Sequence, residues 1–177
     1  MALTKLNSAS VIDRLPTGSV IQTVYARRDS TQSNLSFTTG NKTTFEDVGL
    51  ITLNITPVST SSTMLITLNL RYSSTASSDN VMRVLRTIGS TATVITMMHA
   101  DGGLGNIFYA SGNNAGTHLS GIMYQDTSFQ VTDSPNTTSQ INYKMQVSNA
   151  SGTLKIATRG DNANSRDTTI CVQEIKG

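Results

Sequence analysis

"ITLNITPVSTSSTMLITLNL", residues 51–70, decides the fold. Apolar side chains fall at every second position: Ile51, Leu53 and Ile55, then Met64, Ile66, Leu68 and Leu70. A period of two is the signature of a strand with one buried face. Thr52, Asn54, Thr67 and Asn69 then coat the opposite face. The run "PVSTSST" between the two halves is too long for a tight two-residue hairpin. The two strands are therefore read as members of different sheets. No residue in the stretch is an acid, a base, a nucleophile or a good metal ligand.

The same period runs outward through the chain. "SVIQTVYA" reads as a first strand with apolar residues on both faces. "NLSFTT" and "TTFEDV" read as short strands about the turn at Gly40–Lys42. "NVMRVLRTI" and "TATVITMMH" flank Gly89 and Ser90, a tight-hairpin signal. Residues 101–118 carry five glycines and read as a long loop, with a short strand at Ile107–Tyr109. "LSGIMYQDT", "SFQVTD", "QINYKMQVSN", "GTLKIAT" and "TTICVQEI" complete about ten strands. Apolar residues on both faces of "VIQTVYA" and "VMRVLRTI" hint at burial between chains. No span sustains a 3.6-residue period, and no repeat is evident. The expected fold is all-β, an antiparallel sandwich of sheets packed face to face.

Composition agrees. Ser and Thr make up roughly a quarter of the chain, and Glu occurs only at positions 46 and 174. Residues suited to a pleated surface are common and helix formers are scarce. The formal charge of +2 gives no support for nucleic-acid binding. No apolar run is long enough for a membrane helix, and no secretory signal is recognisable. The single cysteine, Cys171, excludes an internal disulfide framework and reads as a small buried thiol.

Residues 1–18 differ from the rest. Leu3, Leu6, Val11, Ile12 and Leu15 are apolar without strict alternation, and Pro16 and Gly18 precede the first strand. This is read as an N-terminal arm ahead of one β-domain, residues 19–177. The arm either docks on another protein, or folds against its own domain or is disordered at the terminus.

Catalytic constellations are hard to find. His99 and His118 lack a paired nucleophile or carboxylate; Asp101 near His99 begins a turn. "DGGLGN" misses the phosphate-loop spacing. "DNANSRD", residues 161–167, is rich in side-chain oxygens but lacks calcium-loop spacing. Arg27, Arg28, Arg71, Arg83 and Arg86 read as solvated positions on strand faces or edges. For a glycosidase, Asp126 and Asp133 are the least unsuitable carboxylate pair. No catalytic residue, cofactor site or metal site is assigned, and no enzyme activity is expected.

Three segments resemble a known family: "LTKLNSASVIDRLPTGSVIQTVYA" (3–26), "VGLITLNITPVSTSSTMLITLNL" (48–70) and "DSPNTTSQINYKMQV" (133–147), followed by "TTICVQEIKG". In this order they look like small virion structural proteins of tailed bacteriophages, many of them marine or cyanobacterial. The resemblance implies a jelly-roll type of sandwich, a homotrimer, and a place in the virion after synthesis in a host cytoplasm. It implies a fibre or appendage subunit whose partners are other virion proteins of tail, portal region or capsid. Leu3, Leu6, Val11, Ile12 and Leu15 are then the anchoring candidates. Tyr109, Asn113, Asn114 and His118 are candidate contacts to a host surface glycan, because loops on a rigid scaffold carry binding. A capsid decoration or cement protein, and a stand-alone carbohydrate-binding protein, are the alternatives. Neither nucleic acid nor membrane insertion is expected.

Overall fold

The alternation at residues 51–70 becomes two strands in two different sheets. A computed structural model describes residues 9–28, 36–38, 40–74, 80–99, 123–149, 153–157 and 167–177. Among the described residues one short helix, α1 (Ala9–Arg14), precedes ten strands. These are β1 (Val20–Arg28), β2 (Ser36–Phe37), β3 (Asn41–Ile55), β4 (Thr63–Ser74) and β5 (Asn80–Ile88). The rest are β6 (Thr91–His99), β7 (Met123–Asp133), β8 (Ile141–Asn149), β9 (Leu154–Ile156) and β10 (Thr168–Ile175).

The pairings give the topology. In the first sheet β1 pairs β10, β10 pairs β4, and β4 pairs β7, all antiparallel. The second sheet runs β3-β8-β5-β6. Short β9 and β2 extend the first sheet beyond the end of β10, with Tyr72–Ser74 as the partners of β9. Without β2 and β9, the eight remaining strands form four nested antiparallel pairs: β1 with β10, β3 with β8, β4 with β7, β5 with β6. Wrapping such a nested hairpin into two sheets makes the jelly roll. The expected antiparallel sandwich is borne out, and the strand pairings themselves specify the jelly roll.

The core lies between the sheets. Met64, Ile66, Leu68, Leu70 and Tyr72 of β4 are all buried, facing Ile51, Leu53 and Ile55 of β3 and Ile141, Tyr143, Met145 and Val147 of β8. Full burial of each such side chain contributes about 1.5–3 kcal/mol. Met64 and Met82 fill the core as read, and Met145 joins them. Gly89 takes a φ of 58° in the two-residue turn that joins Ile88 to Thr91, a position an L side chain resists.

Some expected boundaries shift. "TTFEDV" and the run from Gly49 belong to one strand, β3, whose register slips between Asn41 and Glu46 and between Asp47 and Thr52. Leu50, at φ 69°, sits in the second slip. Such bulges bend a long strand, so its period of two is locally broken. "YQDT" and "SFQVTD" also merge, into β7. Cys171 lies on the outer face of the first sheet, half-buried and opposite Thr67 and Tyr25, not in the core. The strand expected at Ile107–Tyr109 lies outside the described residues.

The sandwich has two distinct ends. Val20, Ile55, Thr63, Ile88, Asp133, Ile141 and Ile175 meet at one, beside the arm. Arg28, Ser74, Val81, His99, Met123, Asn149 and Thr168 gather at the other.

Candidate functional site

The arm is tied to the last strand. α1 is too short to hold itself as an isolated helix. Its carbonyl end is gripped by Lys176, whose Nζ donates to the carbonyls of Ile12 (3.0 Å), Asp13 (3.0 Å) and Leu15 (2.6 Å). A cation there also complements the helix dipole. The Gly18 amide donates to the Lys176 carbonyl at 2.8 Å, and the Lys176 amide donates to the Ser19 carbonyl at 2.9 Å. Ile12 is buried within the chain and Leu15 is half-buried. Leu3 and Leu6, and the side chain of Val11, lie outside the described residues. The buried Ile12 and the backbone hydrogen bonds that join Gly18 and Ser19 to Lys176 tie this part of the arm to the domain.

Two buried carboxylates act as clamps at this end. Glu174 is fully buried. It accepts hydrogen bonds from Gln22 Nε2 (2.5 Å), the Val58 amide (2.7 Å) and Ser62 Oγ (2.6 Å). Gln22 Nε2 also donates to the Thr56 carbonyl at 2.7 Å. The seven-residue crossing from β3 to β4 is thereby fixed to the β1–β10 pair. Asp133 accepts from Tyr143 Oη (2.6 Å) and from Arg86 Nη1 (2.6 Å), joining β7 in one sheet to β8 and β5 in the other. Burial, then the Asp133 carboxylate, pushes the Tyr143 hydroxyl far above its ordinary pKa. It stays protonated and donates.

These placements correct the arginine reading. Arg28 is buried and its Nη1 donates to the Gly49 carbonyl. Arg86 points between the sheets. Arg83 lies 3.7 Å above the Phe45 ring and donates to Gln146 at 2.7 Å. Only Arg27, half-exposed and 3.2 Å from Asp167, resembles the solvated position expected. The signal for the buried acids was available: Glu174 continues the inward series Ile170, Val172.

The glycosidase pair does not survive. Asp126 and Asp133 are seven residues apart on β7, whose register with β4 is unbroken. An odd separation puts them on opposite faces, about 23 Å apart along the strand, whereas such enzymes need carboxyls about 5–9.5 Å apart. Burial pushes the Cys171 thiol above its ordinary pKa, away from the reactive thiolate. Among the described residues no cluster of three or more His, Cys, Asp or Glu side chains has metal-site geometry, and no helix is long and apolar enough to cross a membrane. Tyr109, Asn113, Asn114 and His118 lie outside the described residues, as does "DGGLGN".

Both outer sheet faces are coated with hydroxyls and amides. On the first, Asn69 Nδ2 donates to Thr169 Oγ1 (3.2 Å) and Gln130 Nε2 to Thr67 Oγ1 (3.1 Å). On the second, Asn142 Nδ2 bridges Thr52 Oγ1 and Asn54 Oδ1, each at 2.9 Å. Beside it Asp47 accepts from Lys144 Nζ (2.8 Å) and Gln146 Nε2 (2.5 Å). Partial burial works to raise the Asp47 pKa; the two hydrogen bonds and the charges of Lys144 and Arg83 outweigh it and hold it below the ordinary value. Two clefts on the sandwich are lined by described residues. One, of about 490 Å³, lies at the arm end between the β5–β6 turn and Ser139–Gln140. The other, of about 340 Å³, is lined by Asn69, Leu70, Asp126, Thr127, Ser128 and Asp167.

No family model matches the chain, and no curated protein matches it. Solved structures with a similar course include the T=1 particles derived from infectious bursal virus, at 14% identity and a TM-score of 0.43. That match covers 90% of this chain and 37% of the other. The infectious bursal disease virus Gx strain matches at 15% identity and a TM-score of 0.39, over 88% of this chain and 37% of that one. The VP2 subviral particle of the same virus matches at 14% identity and 0.36, over 90% and 39%. This chain spans less than two fifths of those proteins. At such scores the likeness assigns no function, and the jelly roll rests on the strand pairings above.

Proposed function

We propose that this chain is a structural, non-catalytic subunit of a virus particle, of the fibre or appendage type. One observation carries the reading: the two ends of the sandwich are differently equipped. The arm joins at Val20, at the end held together by Lys176, Glu174 and Asp133. His99 and Met123, which flank residues 100–122, stand at the opposite end. Such a subunit attaches by one end and presents the other. A jelly roll hosts many functions, so the fold by itself does not choose. The resemblance of residues 3–26, 48–70 and 133–147 to tailed-phage virion proteins adds the particle and the trimer; a host surface glycan is the distal partner proposed for the loop bearing Tyr109, Asn113, Asn114 and His118. The hydroxyl- and amide-rich outer faces suit permanent exposure to water.

Electron cryomicroscopy of purified particles tests the reading. The chain is expected at the tip or side of the particle as a trimer, with its arm inward. Particles lacking it are expected to stay intact and fail to adsorb. Fragile particles that still adsorb would transfer the chain to capsid decoration. Absence from purified particles would overturn the reading.

A further inference from the structure

We propose that β6 is an open sheet edge that pairs, antiparallel, with β6 of a second copy of this chain. The contact stands apart from the particle reading above. It doubles whatever unit the chain otherwise forms, so that a trimer pairs with a trimer.

The two sheets leave four edge strands, β1, β7, β3 and β6. An edge presents free amides and carbonyls to any strand that can reach them, and proteins blunt such edges with charge, Pro or bulges. Three of these edges are blunted. β1 ends in Arg27 and Arg28, and β7 holds Asp126 and Asp133. β3 holds Lys42, Glu46 and Asp47 and slips its register twice. β6, "TATVITMMH", contains no Lys, Arg, Asp, Glu, Pro or Gly. Thr91, Thr93, Val94, Ile95 and Thr96 are β-branched, which suits strand pairing. Among the described residues its ladder is with β5 alone.

The first half of β6 stands clear of the sandwich. Thr91, Ala92, Thr93 and Val94 are all exposed, Val94 at 41%. Thr91 and Thr93 lie on one face and Ala92 and Val94 on the other, so this run is open on both. Residues flanking a two-residue hairpin turn, here Ile88 and Thr91, exchange backbone hydrogen bonds. By the alternation of the ladder, Thr93 also turns its amide and carbonyl toward β5, and Ala92 and Val94 turn theirs outward. The slip between Val84 and Leu85 leaves Ile95 as an extra residue in β6, and the flat run ends there.

Neutrality selects the partner. A charged edge that meets its own copy brings like charges together, which destabilises the pair. This run carries no charge to repel. A twofold axis at Thr93 sets that residue opposite Thr93 of the second copy. It sets Ala92 opposite Val94 in both halves, so the outward amides and carbonyls all find partners. Cross-strand Thr pairs are favourable. The sheet β3-β8-β5-β6 then continues without a break into that of the second copy.

Light scattering and amide hydrogen exchange on the full chain, over a concentration series, test the contact. The mass is expected to double as concentration rises, and exchange at Ala92 and Val94 to slow about tenfold with it. Ala92→Glu and Val94→Lys are each expected to weaken the doubling about tenfold. An equimolar mixture of the two variants is expected to recover it, because the new acid of one copy faces the new base of the other. Both positions are exposed, and an unchanged melting temperature confirms folding. A mass and exchange rates that ignore concentration overturn the proposal. So do single variants that pair like the parent, or a mixture that pairs no better than its components.

Discussion

Tyr143 of β8 donates a 2.6 Å hydrogen bond to Asp133 of β7, and the bond crosses from one sheet to the other. The core side chains between the sheets are mostly apolar, so the two sheets gain a directional link where dispersion and burial supply none. Tyr143→Phe removes the donor and leaves Asp133 with Arg86. The expected loss is about 1.5–3 kcal/mol by chemical denaturation. Asp133→Ala orphans both Tyr143 and Arg86 and is expected to cost more, about 3–5 kcal/mol. Equal losses for the two variants would show that Arg86 adds nothing to the clamp.

Glu174 tests whether the β3–β4 crossing is held by charge or by shape. Glutamine keeps the volume but turns one acceptor into a donor facing the Gln22 amide or the Val58 and Ser62 donors. Glu174→Gln is expected to destabilise by about 2–3 kcal/mol. Amide exchange at Val58 should accelerate beyond the global change. A variant as stable as the parent would mean the carboxylate is dispensable.

Lys176 controls the arm. Lys176→Met keeps most of the stem but removes the three donors to Ile12, Asp13 and Leu15. Hydrogen exchange at Leu15 is expected to quicken about tenfold while β4 keeps its protection. If Leu15 exchanges at the parental rate, Lys176 is not the latch.

Asp47 gives the chain an acid-sensitive element. Its folded pKa lies below its unfolded value. The Lys144–Asp47–Gln146 network therefore contributes fully above the unfolded carboxylate pKa, and that contribution is lost as pH falls through the folded one. Asp47→Asn removes the contribution at every pH. The gap in melting temperature between parent and variant is expected at neutral pH and should narrow below about pH 4. A gap that stays constant down to pH 2 would rule the carboxylate out.

Much of this fold was legible in one dimension. The alternation at residues 51–55 and 64–70 named the inward side chains of β3 and β4, and the length of the crossing sent them to different sheets. Gly89 marked its hairpin. These signals are local, because side-chain direction follows the backbone period over a few residues. The slip around Leu50 was not legible, since a bulge is set by the partner strand.

The buried charges divide along the same line. The sequence alone determined that the chain is a β-sandwich with hydroxyl-rich outer faces, and the alternation of Ile170 and Val172 carried the signal for an inward Glu174. Only the tertiary structure decided that Glu174 meets Gln22, Val58 and Ser62, that Asp133 meets Tyr143 and Arg86, and that Asp126 and Asp167 share a cleft. Glu174 and Gln22 are 152 positions apart in the chain. Whether a charge can stand in a core depends on which donors reach it, and strand pairing over such distances alone brings those donors within hydrogen-bonding range.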